Sequence, residues 1–173
     1  MTPSHRPPRP IEQGDLVGSF SSRSPEQTRW LRENAKQAHA GGTAKVFVVT
    51  PVDSSQVVAY YAWSMAAVSI DDAPQGMKKG AGRYPQPVAL LSRLGAERSH
   101  EGKGLGAGLL RDVLLRSVQL AEEIGMRGLL IHCETEAARN FYLHLLPELD
   151  ESPTDRLHLV LLMKDVVKTL RGG

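Results

Sequence analysis

His100-Glu101-Gly102-Lys103-Gly104-Leu105-Gly106-Ala107-Gly108 lies between an apolar run, Pro87 to Leu94, and a long amphipathic segment, Leu105 to Ile124. Four glycines in seven residues at that junction read as strand, glycine loop, helix. Glycine adopts positive φ at little cost and lets a ligand approach the backbone closely. The first amides of a helix lack internal partners, and the helix dipole places partial positive charge there. Such a loop suits a phosphate or diphosphate. Leu105, Leu109, Leu110, Val113, Leu114, Val118, Ala121 and Ile124 form the apolar stripe of the helix that follows.

Outward from this loop the chain reads as one α/β unit. Gly125 ends the helix and Gly128 to Cys133 is a continuous apolar strand, expected to run parallel to Pro87–Ala96. Thr135 caps a helix reaching Leu146 and stopped by Pro147, and Arg156 to Met163 is a last strand before a short C-terminal helix. Upstream, Ser24-Pro25 starts a helix that Gly41-Gly42 ends. Lys45–Thr50 and Gln56–Trp63 flank a turn and form an antiparallel hairpin. Residues 71–86 are a loop with one helical turn, a length that often carries function.

Composition narrows the class. The chain has 173 residues, 41% hydrophobic and 23% charged, which suits one domain with a true core. The single cysteine excludes an internal disulfide framework or a cysteine zinc cluster, and no metal is expected. It fits a reducing cytoplasm. No apolar run approaches the roughly 20 residues that span a bilayer. The proline-rich start lacks an apolar core and is not a signal peptide. Residues 1–14 are expected to be a flexible tail, with the domain over 15–170. A net charge of +2 and a pI near 8.8 permit a polyanionic partner without requiring one.

Three phosphate-binding templates compete for the loop. A P-loop needs Ser or Thr after Gly-Lys and a glycine five residues earlier, but Gly102-Lys103 is followed by Gly104, and position 97 is Glu97. A dinucleotide fingerprint matches at Gly102, Gly104 and Ala107. It calls for an early position and an acid ending the next strand, whereas Glu122 and Glu123 fall inside the helix.

The third template is the acyl-CoA loop of the GNAT acetyltransferase superfamily, Q/R-x-x-G-x-G/A, with Glu101 at the first position, then Gly104, Gly106 and Ala107. Leu90 to Leu115 resembles that superfamily, and the order of elements over residues 15–165 agrees. Phe20, Trp30-Leu31, Phe47-Val48-Val49, Val57–Ala62, Leu91–Ala96, Leu109–Asp112, His132 and Ala137–Tyr142 resemble, more closely, the acetyltransferase toxins of type II toxin–antitoxin modules. Three departures stand out. Glu101 replaces Gln or Arg, and its charge opposes a diphosphate unless Arg98 and Lys103 offset it. Gly95-Ala96 replaces a bulkier Ala-Val. Leu146-Pro147 stands where the family has Gly-Phe after the tyrosine, which bears on pocket shape.

The resemblance implies a GNAT fold: a single mixed, mostly antiparallel sheet with helices on both faces and a splayed central strand pair. It implies transfer of acetyl from acetyl-CoA to the α-amine of aminoacyl-tRNA in the cytoplasm, blocking translation. A cognate antitoxin of ribbon-helix-helix type is implied, with operator DNA reached only through it, and so is a homodimer. Leu94, Gly95 and Ala96 would pair with pantetheine and polarise the thioester. Gly102, Lys103, Gly104, Leu105, Gly106 and Ala107 would hold the diphosphate, and Asn140 would touch the cofactor. Tyr142 matches the tyrosine that protonates the departing thiolate, and a phenol near pKa 10 is a proton donor at neutral pH.

Around these, Lys36, Lys78, Lys79, Arg83 and Arg93 are candidates for tRNA phosphates. An α-amine titrates at about 7.7–8.0, so no base is needed to make it neutral. His132 is expected to be a hydrogen-bonded core histidine, and Cys133 a buried thiol without a covalent role. A GNAT acting on a small amine or a protein N-terminus, or a non-catalytic acyl-CoA-binding regulator, are the alternatives.

Overall fold

The structure is a computed structural model and describes residues 4–172. One open sheet carries seven strands: β1 (Arg9–Pro10), β2 (Lys45–Val49), β3 (Ala59–Val68), β4 (Gln86–Ala96), β5 (Gly128–His132), β6 (Asp150–Glu151) and β7 (His158–Leu162), in the order β1-β2-β3-β4-β5-β7-β6. Six helices complete the described residues: α1 (Pro25–Glu33), α2 (Ala35–Gly41), α3 (Gln75–Lys78), α4 (Leu105–Glu123), α5 (Glu136–Leu145) and α6 (Met163–Gly172). β1–β2, β2–β3, β5–β7 and β6–β7 are antiparallel; β4–β5 is parallel, as expected. The β4–β5 register ends at Leu91↔Ile131, while β4 runs on to Ala96. The chain clusters into two compact units, Met1–Ser64 with Arg93–Asp112, and Met65–Ser92 with Val113–Gly173.

In the first unit the two-residue period of β2 and β3 sorts the side chains. Val46, Val48, Tyr60 and Ala62 join Ile11, Phe20, Leu31, Ala35 and Val57 in one core. On the opposite face Phe47 stacks on Tyr61, centroids 5.1 Å apart, and the Tyr61 hydroxyl donates to Asp112 at 2.7 Å. Both faces are buried, which is why these strands read as continuous apolar runs. Ser24 caps α1, its hydroxyl accepting from the Gln27 amide at 3.1 Å, and Pro25 opens the helix. The expected single helix breaks at Asn34 (φ −123), giving α1 and α2; Gly42 closes α2 at φ +79.

The flexible tail expected over residues 1–14 is corrected from Ser4 onward; residues 1–3 lie outside the described residues. Arg9 and Pro10 pair with Val48 and Phe47 at the sheet edge, where an imino nitrogen loses nothing. Arg9 grips buried Asp15 through both carboxylate oxygens, at 2.9 and 2.6 Å. This ties the strand to the turn behind it.

The second unit packs Val68, Ala73, Met77, Val88, Leu130, Val160 and Leu162 together. Gly128 is fixed by contact: a Cβ there would lie 2.6 Å from the Leu161 carbonyl oxygen. Thr135 caps α5 by accepting from the Ala138 amide at 3.1 Å, as its position predicts. Among the described residues no helix is long and apolar enough to cross a membrane.

Candidate functional site

Between β4 and α4 the chain makes a 3-10 turn over Arg98–His100 and then the glycine loop. Gly102 and Gly104 sit at φ +77 and +75, the left-handed region that favours glycine. A Cβ at either would meet nothing within 4 Å. Backbone conformation, not packing, therefore selects glycine, and the space beside both residues is open. The first helical hydrogen bond runs from the Gly108 amide to the Gly104 carbonyl at 3.0 Å. The amides of Leu105, Gly106 and Ala107 precede it and are the donors a helix start leaves over.

The approach to the loop is anchored within the first unit. The Glu97 amide donates to the Val58 carbonyl at 2.8 Å, its carboxylate accepts from the Ser21 amide at 2.8 Å, and the Arg98 amide donates to the Ser21 carbonyl at 2.9 Å. Glu101, the departure from the family pattern, is neutralised by Arg23, whose Nε reaches both carboxylate oxygens at 2.8 and 2.9 Å. The Arg23 hydrogen bond and charge, with a smaller push from Arg98, hold this carboxyl below its usual range. Arg98 thus acts as expected, but the main partner is Arg23 and not Lys103. Seventy-eight positions separate Arg23 from Glu101, and no local signal in the sequence joins them.

Leu94, Gly95 and Ala96 close β4. Gly95 is buried, and a Cβ on it would touch the Tyr60 ring at 3.4 Å, Gln27 at 3.6 Å and Phe20 at 3.7 Å. The small residue here matches the bulk of Tyr60, whose hydroxyl donates to the Gln27 carbonyl at 2.7 Å. Arg93, one residue before Leu94, lies 4.8 Å over the Trp30 ring and donates to Glu26 at 3.2 Å. Lys36 gives its ammonium to the carbonyls of Gln13 and Asp15 at 2.8 and 2.7 Å. Both cations, taken from the sequence as phosphate contacts, are occupied within the protein.

In the second unit Tyr142 lies on α5 and is 5% exposed, its ring edge-on to Phe141 with centroids 5.3 Å apart. Burial, then the Cys133 side chain, pushes its phenol well above the usual range, so it holds its proton at every working pH. Asn140, two residues earlier on α5, is exposed. Cys133 is buried and its thiol is pushed up to about 11, chiefly by burial. It is therefore a poor nucleophile. His132 is not the core histidine expected: it is exposed and stacks on His158 across the β5–β7 register, centroids 4.0 Å apart. It is the last residue of β5 and follows four buried ones. Lys78 ends α3, Lys79 and Arg83 are exposed on the loop that follows, and none of the three forms an ion pair among the described residues.

No family model matches the chain. It is 43% identical over 158 residues, 91% of its own length and 92% of the relative's, to a tRNA-acetylating toxin of Mycobacterium tuberculosis (strain ATCC 25618 / H37Rv). Among solved structures, AtaT complexed with acetyl-methionyl-tRNAfMet superposes with a TM-score of 0.82 at 18% identity, covering 92% of this chain and 94% of AtaT. A tyrosine-to-phenylalanine mutant of AtaT bound to the C-terminus of the antitoxin AtaR and acetyl-CoA gives 0.78 at 17%, covering 95% and 97%. At those identities the structures carry the fold. The Mycobacterium relative carries more: the chain belongs to the family of tRNA-acetylating toxins.

Proposed function

We propose that this protein transfers acetyl from acetyl-CoA to the α-amine of aminoacyl-tRNA and so arrests translation. The observation that carries this is the 43% identity to a tRNA-acetylating toxin over nearly all of both chains. The glycine loop supports it chemically. Gly102 and Gly104 leave open space beside left-handed backbone, ahead of the unpaired amides of α4, which fits a diphosphate. Arg23 pairs with Glu101, the acid at the loop's first position, and so lessens its repulsion of the diphosphate. When bound, acetyl-CoA supplies the acetyl group as a reactive thioester.

The remaining work falls to the chain's own groups. The amides of residues 102–107 hold the diphosphate, and Asn140 contacts the cofactor from α5. The backbone of Leu94, Gly95 and Ala96 orients the pantetheine arm and donates to the thioester oxygen as charge builds on it. The acceptor amine, near pKa 8, is partly neutral without help. Tyr142 gives its proton to the departing sulfur; what supports this is that burial keeps the phenol protonated until a stronger base stands beside it. Lys78, Lys79 and Arg83 hold phosphates of the tRNA. Lys36 and Arg93 are left out because their charges are already engaged.

Because charged tRNA is the acceptor, we place the activity in the cytoplasm, in a homodimer neutralised by a ribbon-helix-helix antitoxin that also brings it to operator DNA. Induction of the chain alone tests this reading: growth and protein synthesis should stop, and a co-expressed neighbouring gene should restore them. Unimpaired synthesis in a translation extract given the pure protein and acetyl-CoA would refute it.

A further inference from the structure

The N-terminal arm brings His5 beside His100, next to the glycine loop. His5 bridges to Pro51, the Arg6 amide donates to the Thr50 carbonyl at 2.9 Å, and the Val52 amide donates to the Ser4 carbonyl at 3.2 Å. This pairing sets the His5 ring edge-on to His100, centroids 5.4 Å apart. Each ring has its Nδ1 against a neighbouring serine hydroxyl, Ser4 and Ser99, both at 3.0 Å. Lys103 stands three positions on, within the loop. Among the described residues neither Nε2 has a hydrogen-bond partner, and none of the three groups has an acid partner. The nearest acid in sequence, Glu101, is committed to Arg23, and Arg6 donates its guanidinium to the Val52 carbonyl at 3.0 Å.

Three basic groups gathered without an anion repel one another. Burial, then His100 and Lys103, hold His5 below its usual range. An arrangement of this kind is relieved by a bound anion, which would favour the charged form of His5 and gain charge-assisted hydrogen bonds.

We propose that His5, His100 and Lys103 form a subsite for the 3′-phosphate of coenzyme A, making the N-terminal arm part of the cofactor site. This rests on the reading that acetyl-CoA binds at the glycine loop. A ligand whose diphosphate lies on Gly102–Ala107 carries this second phosphate on the adjoining ribose, within reach of the residues flanking the loop. The arm therefore selects coenzyme A over carriers that share its diphosphate but lack the extra phosphate.

Titration calorimetry on the full chain tests it, with acetyl-CoA and its 3′-dephospho form as probes. Acetyl-CoA should bind about tenfold more tightly than the dephospho form. That ratio should grow as pH falls from about 8 toward about 6.5, because a bound phosphate favours the charged form of His5. His5→Gln, which keeps the arm's pairing, and His100→Gln should each shrink the ratio without weakening the dephospho form. Equal binding of the two probes by the wild-type protein would overturn the proposal. So would a ratio untouched by both substitutions, or variants that lose affinity only for tRNA, which would assign the cluster to RNA phosphates. No binding of either probe would overturn the cofactor reading together with it.

Discussion

Replacing Gly104 by alanine separates what the backbone requires from what the cofactor requires. The residue sits at φ +75, and a Cβ there would meet no protein atom within 4 Å. The fold therefore bears only the left-handed strain of a non-glycine residue, about 1–2 kcal/mol. At positive φ this strain outweighs the gain from a narrower unfolded ensemble. The net loss should be about 1–2 kcal/mol, or a Tm lower by about 2–8 °C in a chain of this size. Gly42 is a matched control: it has φ +79, equally open surroundings, and a place at the end of α2 away from the loop. Gly42→Ala should cost the same stability and bind acetyl-CoA normally. Gly104→Ala should lose at least about tenfold in affinity, because the added methyl occupies the space a diphosphate would fill. Thermal unfolding and calorimetry on both variants decide it. Wild-type affinity in Gly104→Ala would refute the assignment of the loop as the diphosphate cradle.

Other expectations follow from the same geometry. Tyr142→Phe should keep acetyl-CoA binding and lose about 10²–10⁴-fold in acetyl transfer, with growth arrest abolished; full toxicity would remove the phenol from the chemistry. Arg23→Ala frees Glu101 to repel the diphosphate, so acetyl-CoA should bind more weakly, and Arg23→Ala with Glu101→Gln should recover it. Because the pair holds the carboxyl below its usual range, its favourable effect is present at neutral pH and lost as pH falls through the acid range, which a pH series of stability will show. Lys78→Glu with Lys79→Glu should weaken tRNA binding and flatten its dependence on salt; an unchanged slope counts against phosphate contacts. Cys133→Ala should retain transfer, and the wild-type thiol, pushed up to about 11, should resist alkylation at pH 8.

Features governed by neighbours in sequence were legible. Ser24 before Pro25, Thr135 ahead of α5 and the glycines at the α4 start each follow a rule spanning four or five residues, and each stands where expected. The parallel β4–β5 pair follows from a helix between two apolar runs. What escaped depends on distant partners. The proline-rich start reads as unstructured, yet Arg9 finds Asp15 and the edge of β2 accepts Pro10. Arg93 and Lys36 look like spare cations until Trp30, Glu26 and the Gln13 and Asp15 carbonyls are brought to them. Glu101 looks like a defect in the loop until Arg23 arrives from the segment before α1.

Mass spectrometry of RNase-digested, aminoacylated tRNA after incubation with the protein and acetyl-CoA puts the enzymatic assignment to its most direct test. The aminoacyl-adenosine fragment of one or more charged tRNAs should gain the mass of a single acetyl group on its α-amine, and Tyr142→Phe protein should leave it unmodified. Charged tRNA of every amino acid recovered without that mass, by a protein that binds acetyl-CoA, would contradict it.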